Sequence, residues 1–382
     1  MKISQHVFRD GLLESDGLRT LAAVEPNLVL VFGSWTSFAR PGFHATLRKA
    51  FPEAHLAGCT TAGEIAGERV FDGACVVTAI RFAATALKIA RADIGVMEDS
   101  LAMGERVGKA LDGPELRGIL LFCKGLDVNG SAVIQGVSGA VRAGVAITGG
   151  LAGDGGAFQR TWVLDDHGVS DTGLVGIGFY GDGVRIGYGS YGGWEPFGPA
   201  RRVTRCQGNL LFELDGEPAL NVYKRYLGDY AKNLPASGLL FPFEMLGEDH
   251  GRLGLIRTIL GIDEAAGSLI LAGDIDPNGF LRLMHASTDA LVNGAEAAAE
   301  ATRQMVAECG AGLAILVSCV GRKLVMGDHV DEEVEVVSQA LAAGTVTTGF
   351  YSYGEISPFS ATTDCKLHNQ TMTITFLAEA AE

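Results

Sequence analysis

Two stretches place reactive side chain types at matched spacing. Residues 57–65, AGCTTAGEI, set Cys59, two threonines and Glu64 among glycines behind an apolar approach. Residues 348–356, TGFYSYGEI, repeat the frame Gly, four residues, Gly-Glu-Ile, but put Phe350 where the first copy has cysteine. Nucleophilic catalysis by Cys59 needs a thiolate held in an electropositive setting, commonly beside a histidine. His55 lies four residues upstream, no histidine adjoins the cysteine, and the chain has no G-x-S-x-G. Cys59 therefore reads as a small core residue. What the two copies share is a flexible backbone and a carboxylate, Glu64 or Glu355, suited to anchoring neighbouring backbone amides.

A third stretch, residues 367–376, LHNQTMTITF, alternates as a strand would. Asn369, Thr371, Thr373 and Thr375 fall on one face, and His368, Gln370, Met372, Ile374 and Phe376 on the other. The second face is apolar, so His368 and Gln370 point toward a core and each needs a partner. A satisfied core histidine and a ligand or metal pocket at His368 are both open readings. Tyr351, Tyr353 and Glu355 supply aromatic and carboxylate groups for the wall of such a pocket. Residues 189–199, GSYGGWEPFGP, add Trp194 and Phe197 on a loop that forms a lid, an interdomain contact or a packed turn.

Three apolar runs would position these groups. LVLVFGS (28–34), GILLFC (118–123) and LAILVSC (313–319) each read as a buried strand followed by a helix and a glycine-containing turn. Their spacing gives three strand–helix–strand units, usually parallel crossovers. The helix after the second starts at an Asn129 cap, and Pro41 breaks the one after the first. Residues 173–191 and 268–287 read as hairpins, and 215–233 as an amphipathic helix capped by Asp215 or Gly216. The fold class is α/β (α+β mixed), in two glycine-rich domains with mixed sheets, 1–214 and 215–382, with an internal duplication suggested by the two Gly-Glu-Ile copies. The 53 glycines in 382 residues, about twice the usual ~7%, belong in turns, close strand crossings or ligand loops. GIGFYG and GYGSYG match a dinucleotide pattern, but strand rather than helix follows them. DIDPNG starts like a calcium loop but has His285 at the twelfth position.

A formal charge of −15 argues against nucleic acid or an anionic membrane as partner. No apolar run approaches the ~18 residues of a membrane span, and the first residues lack a signal-peptide pattern. Seven cysteines without a C-x-x-C pair read as thiols in a reducing compartment, so the expected location is cytoplasmic.

The chain resembles the FIST family of bacterial signal-transduction sensors over nearly its full length. The resemblance rests on GCTTAGEI, GGLAGDG, GSYGGWEPFGP, RRVTRCQGNLLFELDGEPAL, YKRYLG, TGFYSYGEISP and LHNQTMTITF. It implies a non-enzymatic sensor of a small molecule or gas, acting on a separate histidine kinase or cyclic-di-GMP enzyme, with a homodimer as an allowed assembly. Some members are haem-binding nitric oxide sensors; haem b here would take His368 as iron ligand, with His285 second. Others are proposed to bind amino-acid-like or other small metabolites without haem. On either reading the expected ligand residues are His368, Gln370, Tyr351, Tyr353, Glu355 and Trp194.

Overall fold

Each of the three strand–helix–strand units grows into the same four-stranded sheet. In the first, Lys2–Phe8 pairs antiparallel with Cys75–Arg81, which pairs antiparallel with Leu28–Gly33, which runs parallel to His55–Thr60. The second has Ala86–Asp93, Gly173–Tyr180, Leu116–Cys123 and Ala146–Leu151 in the same order. The third has Val184–Tyr191, Met372–Glu379, Leu313–Cys319 and Val346–Ser352. A helix follows the outer strand and another joins the parallel pair: Ser15–Ala22 and Phe43–Ala50, then Ser100–Leu111 and Gly130–Ala140, then Thr288–Met305 and Asp331–Ala340. The expected duplication is thus a triplication. This computed structural model describes residues 1–358 and 364–380.

Helices cover the outer faces of the sheets, and the inner faces meet in one central core. Burial on both faces is why the parallel strands read as unbroken apolar runs. Phe32, Phe122 and Phe350, one from each repeat, touch there with ring centroids 4.9 to 6.1 Å apart. Cys59 is fully buried beside them, and burial pushes its thiol well above the ordinary range. It packs as a small apolar group.

The chain leaving each parallel pair crosses to a neighbouring sheet. Glu64–Ala66 pairs with Val346–Ser352, Gly354–Pro358 with Ala146–Leu151, and Val163–Asp165 with His55–Thr60. Each crossing passes over a glycine of the parallel pair: Gly349, Gly149 or Gly58. A Cβ at these positions would lie 1.9, 2.0 and 1.8 Å from the carbonyl oxygens of Leu316, Leu121 and Val31. Only glycine lets the two parallel strands approach this closely.

Residues 192–287 interrupt the third repeat. Among the described residues they contribute a nine-stranded sheet with its own core, including Leu214, Tyr223, Phe243, Leu269 and Leu281. The buried Arg322 holds both roots of this insert, donating to the carbonyls of Gly192 and, at 2.9 Å, Leu291. Its charge is met by Glu333 at 2.6 Å, both side chains being fully buried.

Several local expectations change. Strands 173–180 and 184–191 join through the glycine turn but belong to different sheets, so they are no hairpin. Ser268–Leu271 and Phe280–His285 likewise pair with other strands. The amphipathic helix covers Ala219–Leu227, capped at Pro218, and a 3₁₀ turn continues to Asn233. The alternating stretch 367–376 is two strands: Cys365–His368 in the second sheet and Met372–Glu379 in the third. Gln370 turns the chain between them at φ +64°. Period-two alternation carries no mark of where a strand changes sheet. Asn129 does cap Gly130–Ala140, accepting from the Ala132 N–H at 3.0 Å.

Gly58→Ala is expected to cost at least ~2 kcal/mol in urea unfolding, because backbone atoms cannot yield to the added methyl. The control is Gly139→Ala on the exposed face of helix Gly130–Ala140, where nothing lies within 4 Å. It should gain about 0.5 kcal/mol. Equal stability of the two variants would rule out the close strand approach.

Candidate functional site

The three glycine corners meet at the carboxyl ends of the parallel strands, where ligands of open α/β sheets are generally bound. Equivalent backbone groups close a ring there. The N–H of Ala62 donates to Tyr351 O at 2.8 Å, that of Gly153 to Thr60 O at 2.9 Å, and that of Tyr353 to Leu151 O at 3.2 Å.

Two corners carry a buried glutamate. Glu64 accepts from the Thr61 hydroxyl and from the Ala74 N–H at 2.9 Å. Glu355 accepts from the Ser352 hydroxyl at 2.6 Å, the Thr371 N–H at 3.1 Å and the Thr371 hydroxyl at 3.0 Å. Ala74 and Thr371 immediately precede the last strand of their repeats, so both glutamates hold equivalent backbone amides. The second repeat departs from this pattern. Its Asp154 accepts from the N–H groups of Phe158, Gln159 and Arg160 at 2.7 to 2.9 Å and from the Tyr353 hydroxyl.

Beside the second corner lies a cavity of about 90 Å³, in the seam between the repeats and the insert. The repeat side contributes Asn129 at the start of its helix, Leu151, Tyr353, Leu367 and Asn369. The insert side contributes Asn209, Leu260 and residues 271–274. Asn369 is 1% exposed, and its side-chain Oδ1 has no hydrogen-bond partner among the described residues. Leaving a buried amide group unpaired costs about 1–3 kcal/mol. Behind Gly273 the buried Arg257 donates to the carbonyls of Asp274, Ile256 and Leu367 at 3.0 to 3.3 Å. Desolvation, opposed by the charge of Asp274, lowers its guanidinium to about 10.

The sequence-expected residues divide among several environments. Tyr353 lines the cavity and stacks on Phe158 with centroids 4.2 Å apart. Tyr351 is wholly buried and donates to Glu333, which also accepts from Ser318 at 3.0 Å. Trp194 donates to the Gln370 carbonyl at 2.8 Å, and the Gln370 amide donates to Leu239 O at 2.9 Å, so both tie the insert to the core. Glu355 holds Thr371. His368 is buried, with Nε2 2.8 Å from the Ser357 carbonyl. Burial, and then the charge of Arg257, lowers its imidazole to about 4. His285 lies half-exposed on the insert, edge-on to Phe197 at 5.7 Å and 4.0 Å from Glu195.

A haem held by His368 would need that histidine on a cavity wall. His368 lines neither the 90 Å³ cavity nor the depression of about 330 Å³ around Val306, Cys309 and Phe376, and neither has a histidine on its wall. Asn369, Arg257 and Asp274 were not expected from the sequence. Strand alternation assigns Asn369 to the threonine face, and only the turn at Gln370 brings it to the seam.

Burial pushes the Glu355 carboxyl from 4.5 up to about 8, against the donors Ser352 and Thr371. The folded protein thus keeps a proton that the unfolded chain releases above pH ~4.5. This contribution to stability is complete below that pH and is lost as pH rises through about 8. The stability difference between wild type and Glu355→Gln should therefore shift by a few kcal/mol toward the variant across that window. A constant difference in urea titrations would show that the carboxyl is not perturbed.

Comparison with known proteins places this architecture. Uncharacterized proteins of Mycobacterium bovis and Mycobacterium tuberculosis are each 26% identical over 231 residues. That stretch is 57% of this chain and 57% of theirs, so the chain spans little more than half their length. An uncharacterized protein of Methanocaldococcus jannaschii is 32% identical over 89 residues, 23% of this chain and 17% of that protein. Among solved structures, a cyanuric acid hydrolase from A. caulinodans aligns with 100% of this chain and 99% of its own, at 10% identity and a TM-score of 0.36. The FIST N domain matches residues 27–217 and the FIST C domain residues 219–358. The chain belongs to the FIST family.

Proposed function

We propose that this protein is a non-enzymatic cytoplasmic sensor of a small metabolite, bound without haem in the seam cavity. The reading is carried by the cavity's position. Its wall is built partly from the repeats and partly from the insert, so occupancy is felt by two separately cored bodies. A ligand touching both favours one relative placement over others, which is how binding energy becomes a conformational signal. Leu367 and Asn369 form part of that wall, and the chain continues from them through Gln370 and Thr371 into Met372–Glu379, a strand of the third sheet. The separate output partner is a histidine kinase or a cyclic-di-GMP enzyme, as family membership suggests.

The alternative, haem-based nitric oxide sensing, would require His368 to leave Ser357 and a far larger space to open beside it. An amino-acid-like ligand remains within the metabolite reading, since the wall offers polar groups beside an apolar floor.

Thermal unfolding of haem-free protein across a panel of small metabolites tests this. At ligand concentrations near 100 times Kd the expected stabilisation is about 2.7 kcal/mol, a rise in Tm of a few degrees for a chain of this length. A flat panel, together with a Soret band in reconstituted protein that changes in His368→Ala, would overturn the haem-free reading.

A further inference from the structure

We propose that the seam cavity recognises a neutral carboxamide-type group, an N–H donor adjacent to a carbonyl acceptor, through the side chain of Asn369. The proposal rests on the cavity being the sensory site and names the chemistry it would select.

Three asparagines lie on the cavity wall, and two of them are accounted for. Asn129 caps its helix through Oδ1 and donates from Nδ2 to Asp274 at 3.4 Å. Asn209 donates to the Leu271 carbonyl at 2.9 Å. The third, Asn369, is as buried as a core leucine, yet among the described residues its buried Oδ1 meets no hydrogen-bond partner. Buried amides are nearly always hydrogen-bonded in folded proteins. Whichever way the amide is turned, it presents one acceptor and one NH₂ donor. The complement to both at once is another amide-like edge, the same two-point match by which asparagine reads a base edge.

The surroundings select against ions. Leu151, Leu271 and Leu367 are buried and apolar, and desolvating a charged head among them is costly without a buried counter-ion. Arg257 does not line the cavity and is turned onto three carbonyls. Asp274 does line it but is exposed, at the mouth. The volume of about 90 Å³ is several times the ~10–15 Å³ needed to admit one water, room for a head group of a few heavy atoms. Met97 and Leu260, each nearly half exposed at the rim, could flank a short apolar continuation.

The test uses the full chain labelled with ¹⁵N-asparagine, with the Asn369 side chain NH₂ signal assigned by its loss in Asn369→Ala. Propionamide, propylammonium, propionate and 1-propanol are titrated separately. Propionamide is expected to shift this signal with an affinity about tenfold or more above the other three, the scale of one or two added hydrogen bonds. Asn369→Ala should lose that preference while unfolding cooperatively, and Asn369→Asp, an acceptor only, should prefer propylammonium. Equal binding of propionate, propylammonium or propanol to wild type would overturn the proposal, as would unchanged propionamide affinity in Asn369→Ala. If a panel metabolite lacking an amide edge moves the Asn369 signal while propionamide does not, the amide assignment falls and the seam sensor stands. If every panel metabolite that stabilises the protein leaves the signal unmoved, the seam itself is excluded.

Discussion

Three backbone hydrogen bonds close a ring on which the molecule depends. Ala62, Gly153 and Tyr353 each donate to a carbonyl of the neighbouring repeat, at Tyr351, Thr60 and Leu151. Each bond forms where a chain leaves its parallel pair and crosses to another sheet, so sheet closure and strand exchange are one event. None of the three sheets is complete without a strand from another repeat, since Glu64–Ala66, Gly354–Pro358 and Val163–Asp165 all pair outside their own. Paired edges expose no row of free backbone groups. The central Phe32, Phe122 and Phe350 cluster lies on the shared inner face that this closure creates.

The same closure explains where asymmetry enters. Lys323 of the third repeat reaches the Ala62 carbonyl at 3.0 Å and pairs with Asp72, joining that repeat to the first. The insert breaks only the third repeat, and the Arg322–Glu333 pair fixes its two roots to the core. Breaking a buried pair leaves an uncompensated charge and is strongly destabilising, so these roots are firm. The far side of the insert meets the second repeat across the seam that holds the cavity. A body fixed at its roots and divided by a cavity elsewhere is suited to small relative displacements.

The corner glutamates show how one motif serves the fold. Glu64 and Glu355 both hold the amide before the last strand of their repeats, which is why the Gly-Glu-Ile frame occurs twice. In the second repeat Asp154 turns instead onto three successive amides of its own loop and onto Tyr353, whose ring lines the cavity. The repeat that abandons the glutamate is the one beside the cavity.

Much of the frame was legible locally. The buried strands 28–33, 116–123 and 313–319, the Asn129 cap, the break at Pro41, the core role of Cys59 and the amide-holding role of Glu64 and Glu355 follow from apolar pattern, turn chemistry and residue type. These properties depend on neighbours along the chain. What sequence could not determine depends on neighbours across it: the equivalence of the second unit to the other two, hidden because its corner has Asp154 in place of the Gly-Glu-Ile frame; the change of sheet at Gln370, invisible to alternation; and the burial of His368 against Ser357. Asn369 illustrates the division. Its type and position were readable, but the lack of a partner at its Oδ1 is a property of everything packed around it. The sequence by itself determined the elements and the chemistry available to them. Only the tertiary structure decided which polar groups found partners, because that depends on strands meeting from residues hundreds of positions apart.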